Sequence, residues 1–236
     1  MQVPPITSVE KVIFNSGETH TLLIGRGDTE FVLPQRETSS KVAQDYTWLG
    51  MHHIWVGYDH LLFLLCLLWI AGGLRRILIT ITGFTFAHSI TLALSALGIV
   101  NLPVPPIEAV IALSVLFLAV EVAKGPRENL TWRYPIAVSS TFGLLHGLGF
   151  AAVLNEIGLP QTEVITGLIF FNVGVEIGQI LFAIGVVLLL YLLRLLFDKL
   201  IPELSFERHL RVGMGYYVGC IAAYWLIERT IGFAVV

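Results

Sequence analysis

Charge is what this chain has least of. Asp, Glu, Lys and Arg make up only 13% of its 236 residues, where a soluble domain carries about 25%. With 56% hydrophobic residues and a mean hydropathy of +0.80, the composition is that of an integral membrane protein. A basic excess is also missing: 14 Lys and Arg stand against 17 acids, for a net charge of −3, so no nucleic-acid partner is expected. Cysteine is sparse. Cys66 and Cys220 both lie inside apolar runs, which excludes a disulfide framework or a zinc finger and reads as packing. Met1 to Ser8 has no charged start followed by an apolar core, so no secretory signal is visible. A His-Glu-x-x-His helix motif is absent as well, which counts against a zinc protease of that type.

What the chain does have is six apolar runs, at 47–71, 76–100, 106–124, 133–154, 163–196 and 209–232. About 20 helical residues cross a bilayer, so an all-α membrane protein of six transmembrane helices is expected. At about 1.5 Å per residue the fifth run would reach about 50 Å, so it should tilt, kink or project. Arg75 and Arg76 occupy the first loop, Lys124, Arg127 and Arg133 the third, and Arg194, Lys199, Arg208 and Arg211 the fifth, while "NLPVPP" and "NEIGLPQTE" hold none. The positive-inside rule then puts the odd loops in the cytoplasm and both termini outside it. Two regions follow: an extracytoplasmic tail, 1–45, with short β-like stretches, and a transmembrane domain, 46–236. The tail is too short to bury a core of its own. An exported tail ordinarily needs a signal, so a truncated or processed chain is expected. The triplet Arg26-Gly27-Asp28 reads as chance. The expected location is the inner (plasma) membrane, multi-pass, with the lipid bilayer as first partner; a homo-oligomer is compatible with all of this.

Against that apolar background, "GMHHIWVGYDHLLFLL" (50–65) carries three histidines and an aspartate. His60, His88 and His146 lie near the middle of the first, second and fourth runs, Glu176 near the middle of the fifth, and Asp59 adjoins His60. A central Asp costs roughly 2.5–3.5 kcal/mol on insertion scales, so such residues ordinarily face one another, water or a cation. Alone, an intramembrane histidine is usually an interhelical hydrogen bond. Four helices each contributing a His or a carboxylate at similar depth argue for a shared site. The candidate metal ligands are His53, Asp59, His60, His88, His146 and Glu176, with His52, Asn172 and Gln179 accessory. On a regular helix His53 and His60 share a face but stand about 10.5 Å apart along the axis. That is too far for one ion bound at about 2.0–2.1 Å. His52 and His53 are therefore expected at an outer uptake mouth, and Asp59 with His60 in a deeper site; Gly57 between them could loosen the helix. Asn172, Glu176 and Gln179 recur at i, i+4 and i+7 and form one polar stripe. Thr85 and Ser89 flank His88. Gly143, Gly147 and Gly149 surround His146, and small residues let helices approach closely. Glu121 reads as interfacial, as do Trp48, Trp55, Trp132, Tyr134 and Trp225, while His20 lies outside the runs and His209 at the very start of the sixth.

"HIWVGYDHLLFLL", "FTFAHSITLALSALGI", "FGLLHGLGFA" and "FNVGVEIGQ" together resemble the HupE/UreJ family of membrane proteins, over about residues 48–232. Members are associated with nickel or cobalt uptake for metalloenzymes such as hydrogenase and urease. The resemblance implies that His53, Asp59 and His60, which match His-x5-Asp-His, belong to a metal-handling motif. Nickel-transporting members carry a second motif, Phe-His-Gly-x-Ala/Val-His-Gly-x-Glu. Here only Gly143, His146 and Gly147 agree, with Phe142 in place of the first His and Gly149 in place of the Glu. This is the pattern of a divergent branch, in which Glu176 could supply the missing carboxylate. Imidazole suits nickel, cobalt, zinc and copper, so the expected ion is a divalent nickel, cobalt or zinc. The leading expectation is a permease rather than an enzyme, with two inverted halves of three spans. Phe84–His88 and Phe142–His146 share one spacing, a trace of an internal repeat. The alternatives are an intramembrane zinc hydrolase with Asp59 or Glu176 as general base, a bis-histidine haem protein, and a metal-stabilised scaffold or sensor.

Overall fold

The computed structural model describes residues 6–13, 19–25, 38–157, 163–200 and 206–234. The chain forms two compact units, Met1–Glu37 and Thr38–Val236. In the first, strands β1 (Ile6–Ile13) and β2 (Thr19–Gly25) form an antiparallel pair with Val9 opposite Leu23. The Arg-Gly-Asp triplet and most of "NEIGLPQTE" fall outside the described residues.

The second unit is helical: α1 (Ser39–Val56), α2 (Tyr58–Ala71), α3 (Leu74–Ala96), α4 (Val104–Lys124), α5 (Leu130–Arg133), α6 (Pro135–Ile157), α7 (Val164–Leu200) and α8 (Phe206–Ala234). Each apolar run coincides with one of these helices, except the first. The 47–71 run is two helices, α1 and α2, bent by 76° at Gly57. The single straight first span expected from the sequence is thus corrected. α1 also reaches back to Ser39, so the end of the segment read as tail is helical. α3, α4, α7 (to Leu196) and α8 (from Glu207) are each long and apolar enough to cross a membrane, and the bent α1–α2 pair makes a fifth candidate.

Local chemistry sets the ends. Pro105 and Pro106 stand in the first turn of α4, where their missing N–H groups cost nothing. α2 stops at Gly72, whose φ of 70° is the left-handed conformation that favours glycine. The Asn129 side chain accepts the Trp132 N–H at 3.2 Å and opens α5.

Three long pairs make the bundle: α1 packs along α7, α3 along α6 and α4 along α8. The short helix α2 lies among them and touches all three pairs. Beyond Asp59 and His60 in its first turn, its sequence, YDHLLFLLCLLWIA, is apolar on every face, and eight of its 14 residues are buried. A helix with no polar face belongs in the interior. Phe63, Cys66 and Leu67 pack on α4 and α8, whereas Leu64 and Leu68 pack on α3 and α7. α7, with 37 residues, spans about 55 Å. Its overlength agrees with the sequence expectation, and Val187 to Leu196 are largely exposed.

Candidate metal centre

The site begins at the helix break. Gly57 adopts φ −76°, ψ 85°. Its N–H donates to the His53 carbonyl at 2.9 Å, closing α1, and its carbonyl accepts the His60 N–H at 2.9 Å, opening α2. One residue therefore serves as the end of one helix and the start of the next. The turn brings the His53 and His60 rings to 4.6 Å between centroids. The expectation of two separate stations about 10.5 Å apart rested on an unbroken helix, and the bend overturns it: His53 faces His60. A side chain at 57 would crowd the pair, since its Cβ would lie 2.7 Å from His60 Nδ1 and 2.8 Å from the His53 carbonyl.

α3 and α6 supply two more imidazoles. The His88 ring lies 6.3 Å from His53 and 6.4 Å from His60, and His146 lies 5.1 Å from His60. Close backbone approach allows this. Gly143 and Gly147 face the carbonyls of Phe84 and His88, where a Cβ has no room, so α6 sits directly on α3. One ligand atom each from His53, His60 and His88 falls within 4.8 Å of the others. Four-coordinate nitrogens around a first-row ion stand about 3.3 Å apart. Closing the trio on an ion therefore needs side-chain shifts of about 1 Å.

His60, His88 and His146 are 9%, 0% and 1% exposed. His88 Nδ1 lies 3.3 Å from Asn172 Oδ1 on α7, and His146 Nε2 lies 3.0 Å from Ser114 Oγ on α4. The other nitrogens of His88 and His146, and both of His60, are buried without a hydrogen-bond partner. Leaving a buried polar atom unsatisfied costs about 1–3 kcal/mol. An imidazole gives an ion only one of its nitrogens, so these three rings offer at most three donors of the kind that suits a divalent transition ion, and His146 stands outside the trio grouped within 4.8 Å.

A layer of phenylalanine lies beside the histidines. Phe63, Phe84 and Phe142 each stand about one helical turn from His60, His88 and His146, always toward the end of the bundle where α2 finishes and α3 and α6 begin. Phe63 and Phe84 are 4.9 and 5.3 Å from the His146 ring, and Phe63 is 5.7 Å from Phe142. Phe84 is stacked on His88.

The two carboxylates expected at the cluster are each bonded to another side chain. Asp59 Oδ2 pairs with Arg229 Nη2 on α8 at 2.9 Å, both side chains 21% exposed, while its Oδ1 is buried without a partner. Arg229 also donates to the Glu108 carbonyl at 3.0 Å. Glu176 accepts the Thr82 hydroxyl at 2.6 Å at the side of a cleft of about 480 Å³ between α3 and α7, which is lined also by Thr85, Ser89 and Asn172. Gln179 accepts from Thr85 at 2.9 Å. His52 is exposed on α1. Sequence reasoning missed Ser114 and Arg229. The only signal of Ser114 was a lone hydroxyl in "IALSVLFLA", and that of Arg229 a lone cation near the end of the last apolar run.

A helical membrane protein with a buried histidine cluster at a helix break is the class that the fold and site define. Residues 29–229 match the family described as HupE / UreJ protein, and the chain belongs to that family. No curated protein and no solved structure matches it.

Proposed function

We propose that this protein is a divalent metal-ion permease whose substrate binds among His53, His60, His88 and His146. The family is associated with nickel and cobalt transport, and the observation that carries the reading is the convergence of buried imidazoles at a broken helix. Broken helices that line polar sites near mid-membrane are a recurrent transporter device. Six spans, with α1–α2 and α6 counted, and basic loops in the cytoplasm complete the scheme. From the cytoplasmic helix ends, His60 and His88 then lie about 17–21 Å into the membrane and His146 about 17 Å, in the middle to outer half of a core about 30 Å thick. Exposed His52 stands at the outer approach. Phe63, Phe84 and Phe142 close the cytoplasmic side, as hydrophobic constrictions do in other pores. Asp59, beside His60, and Glu176, in the α3–α7 cleft, act next to the ion rather than as its first ligands.

The departure from the second family motif fits this arrangement. Phe142, where the resemblance calls for a histidine, belongs to the phenylalanine layer, and a side chain at Gly149 would press on Ile111. The absence of a His-Glu-x-x-His motif weighs against the zinc hydrolase, and the permease is preferred. Proteoliposomes test it. Outwardly added Ni²⁺, Co²⁺ or Zn²⁺ should accumulate inside with the wild type and at least tenfold less with His60→Ala. Absence of flux for all three ions under every pH and potential gradient, with the protein correctly inserted, removes the proposal.

A further inference from the structure

The hydrogen bonds behind two of the histidines determine which ring nitrogen each offers. The Asn172 amide is locked: its Nδ2 donates to the Leu168 carbonyl at 2.8 Å. Flipping it would set two oxygens against each other at that distance. Its Oδ1 therefore faces His88, and only an Nδ1–H on His88 can complete the 3.3 Å contact. His88 Nε2 then carries the lone pair. Ser114 is locked as well: its hydroxyl hydrogen is spent on the Ile111 carbonyl at 2.7 Å. Ser114 Oγ can only accept from His146, so His146 is protonated on Nε2 and its lone pair is on Nδ1. Both lone pairs sit on buried atoms without a hydrogen-bond partner.

The geometry points to Asn172 and Ser114 as positioning residues that hold His88 and His146 in opposite tautomers, so that His88 binds the divalent ion through Nε2 and His146 through Nδ1. The inference rests on the metal-site reading above, but its first test needs no metal. Imidazole in water prefers the Nε2–H form, so a dominant Nδ1–H form at His88 is not what the ring would adopt on its own. Such outer partners fix the tautomer and raise ligand basicity, and losing one typically costs about 10–100-fold in affinity.

The full chain, labelled with ¹⁵N-histidine in nanodiscs and assigned with His88→Gln and His146→Gln, reports both tautomers. The expected result is Nδ1–H at His88 and Nε2–H at His146. Asn172→Ala should release His88 to Nε2–H and weaken Co²⁺ binding, read from its d–d absorption, by about tenfold or more. Asn172→Asp, which keeps the acceptor, should restore both. Ser114→Ala should loosen the His146 tautomer, and Ser114→Thr should hold it. Nε2–H at His88 in the wild type, or an unchanged tautomer and Co²⁺ spectrum in Asn172→Ala, overturns the inference. If Asn172→Ala does not fold, the wild type and Asn172→Asp decide. Expected tautomers with no Co²⁺ binding would sink the permease reading and leave the positioning roles standing.

Discussion

Gly57 shows how much one residue can decide. The backbone at 57 is open to any L-residue, since its φ is negative. What excludes a side chain is space: a Cβ would meet His60 Nδ1 and the His53 carbonyl from the two helices it joins. Gly57→Ala should therefore push the His60 ring out of the cluster or partly straighten the bend. Either movement separates ligand atoms that now lie within 4.8 Å. A loss of Co²⁺ affinity of at least tenfold is expected; displacement of the ring alone should change thermal unfolding little, whereas straightening the bend should lower it. Equal affinity in wild type and variant, by isothermal titration of both in nanodiscs, would show that the break does not set the site. The histidines themselves were legible in the sequence, since each is costly in an apolar run. Their grouping was not. Seven residues along a straight helix and seven residues across a 76° turn have the same spelling, and Gly57 marked where the helix could loosen but not how far it turns.

At the scale of elements, α2 organises the bundle because it has no polar face to turn outward. The runs that became α3, α4, α6, α7 and α8 could be read to within a few residues, because hydropathy reports them directly. Partnerships could be read less well. Glycines in "FGLLHGLGF" pointed to close packing, yet only the fold shows that the contact is with the Phe84 and His88 carbonyls. The same contact turns the repeated Phe-x-x-x-His spacing into a layer: Phe84 and Phe142 come from α3 and α6, and Phe63 joins from α2. If that layer is the cytoplasmic barrier, thinning it should raise passive flux without changing binding. Phe142 is the member to cut, being half-buried, so Phe142→Ala should cost only about 1–2 kcal/mol of stability, below the range for fully buried aromatics. Co²⁺ efflux from loaded proteoliposomes should rise several-fold while Co²⁺ affinity stays within twofold. Unchanged efflux would place the barrier elsewhere.

For the whole molecule, the question is what ties the last helix to the site. α8 lies chiefly on α4, and its tie to α2 beside the histidines is the Asp59–Arg229 pair, 170 positions apart in sequence. Arg229 spreads its guanidinium over three elements: it bonds Asp59 on α2, donates to the Glu108 carbonyl of α4, and stands 5.5 Å from the Trp225 ring on its own helix. Neither charge is exposed enough to be left to water. Removing one partner strands the other at about 1–3 kcal/mol, so Asp59→Asn and Arg229→Gln should each lower the unfolding midpoint in detergent. The double variant should cost less than the sum of the two, with a coupling of about 0.5–3 kcal/mol. Additive losses would mean that the pair does not hold α8 in place. The charge-reversed double, Asp59→Arg with Arg229→Asp, separates structure from function. If the carboxylate serves only to anchor α8, the reversal should recover both stability and Co²⁺ retention. If Asp59 also draws the cation toward His60, stability should recover in part while retention stays lost, because a guanidinium then stands one residue from the imidazole that must bind the ion.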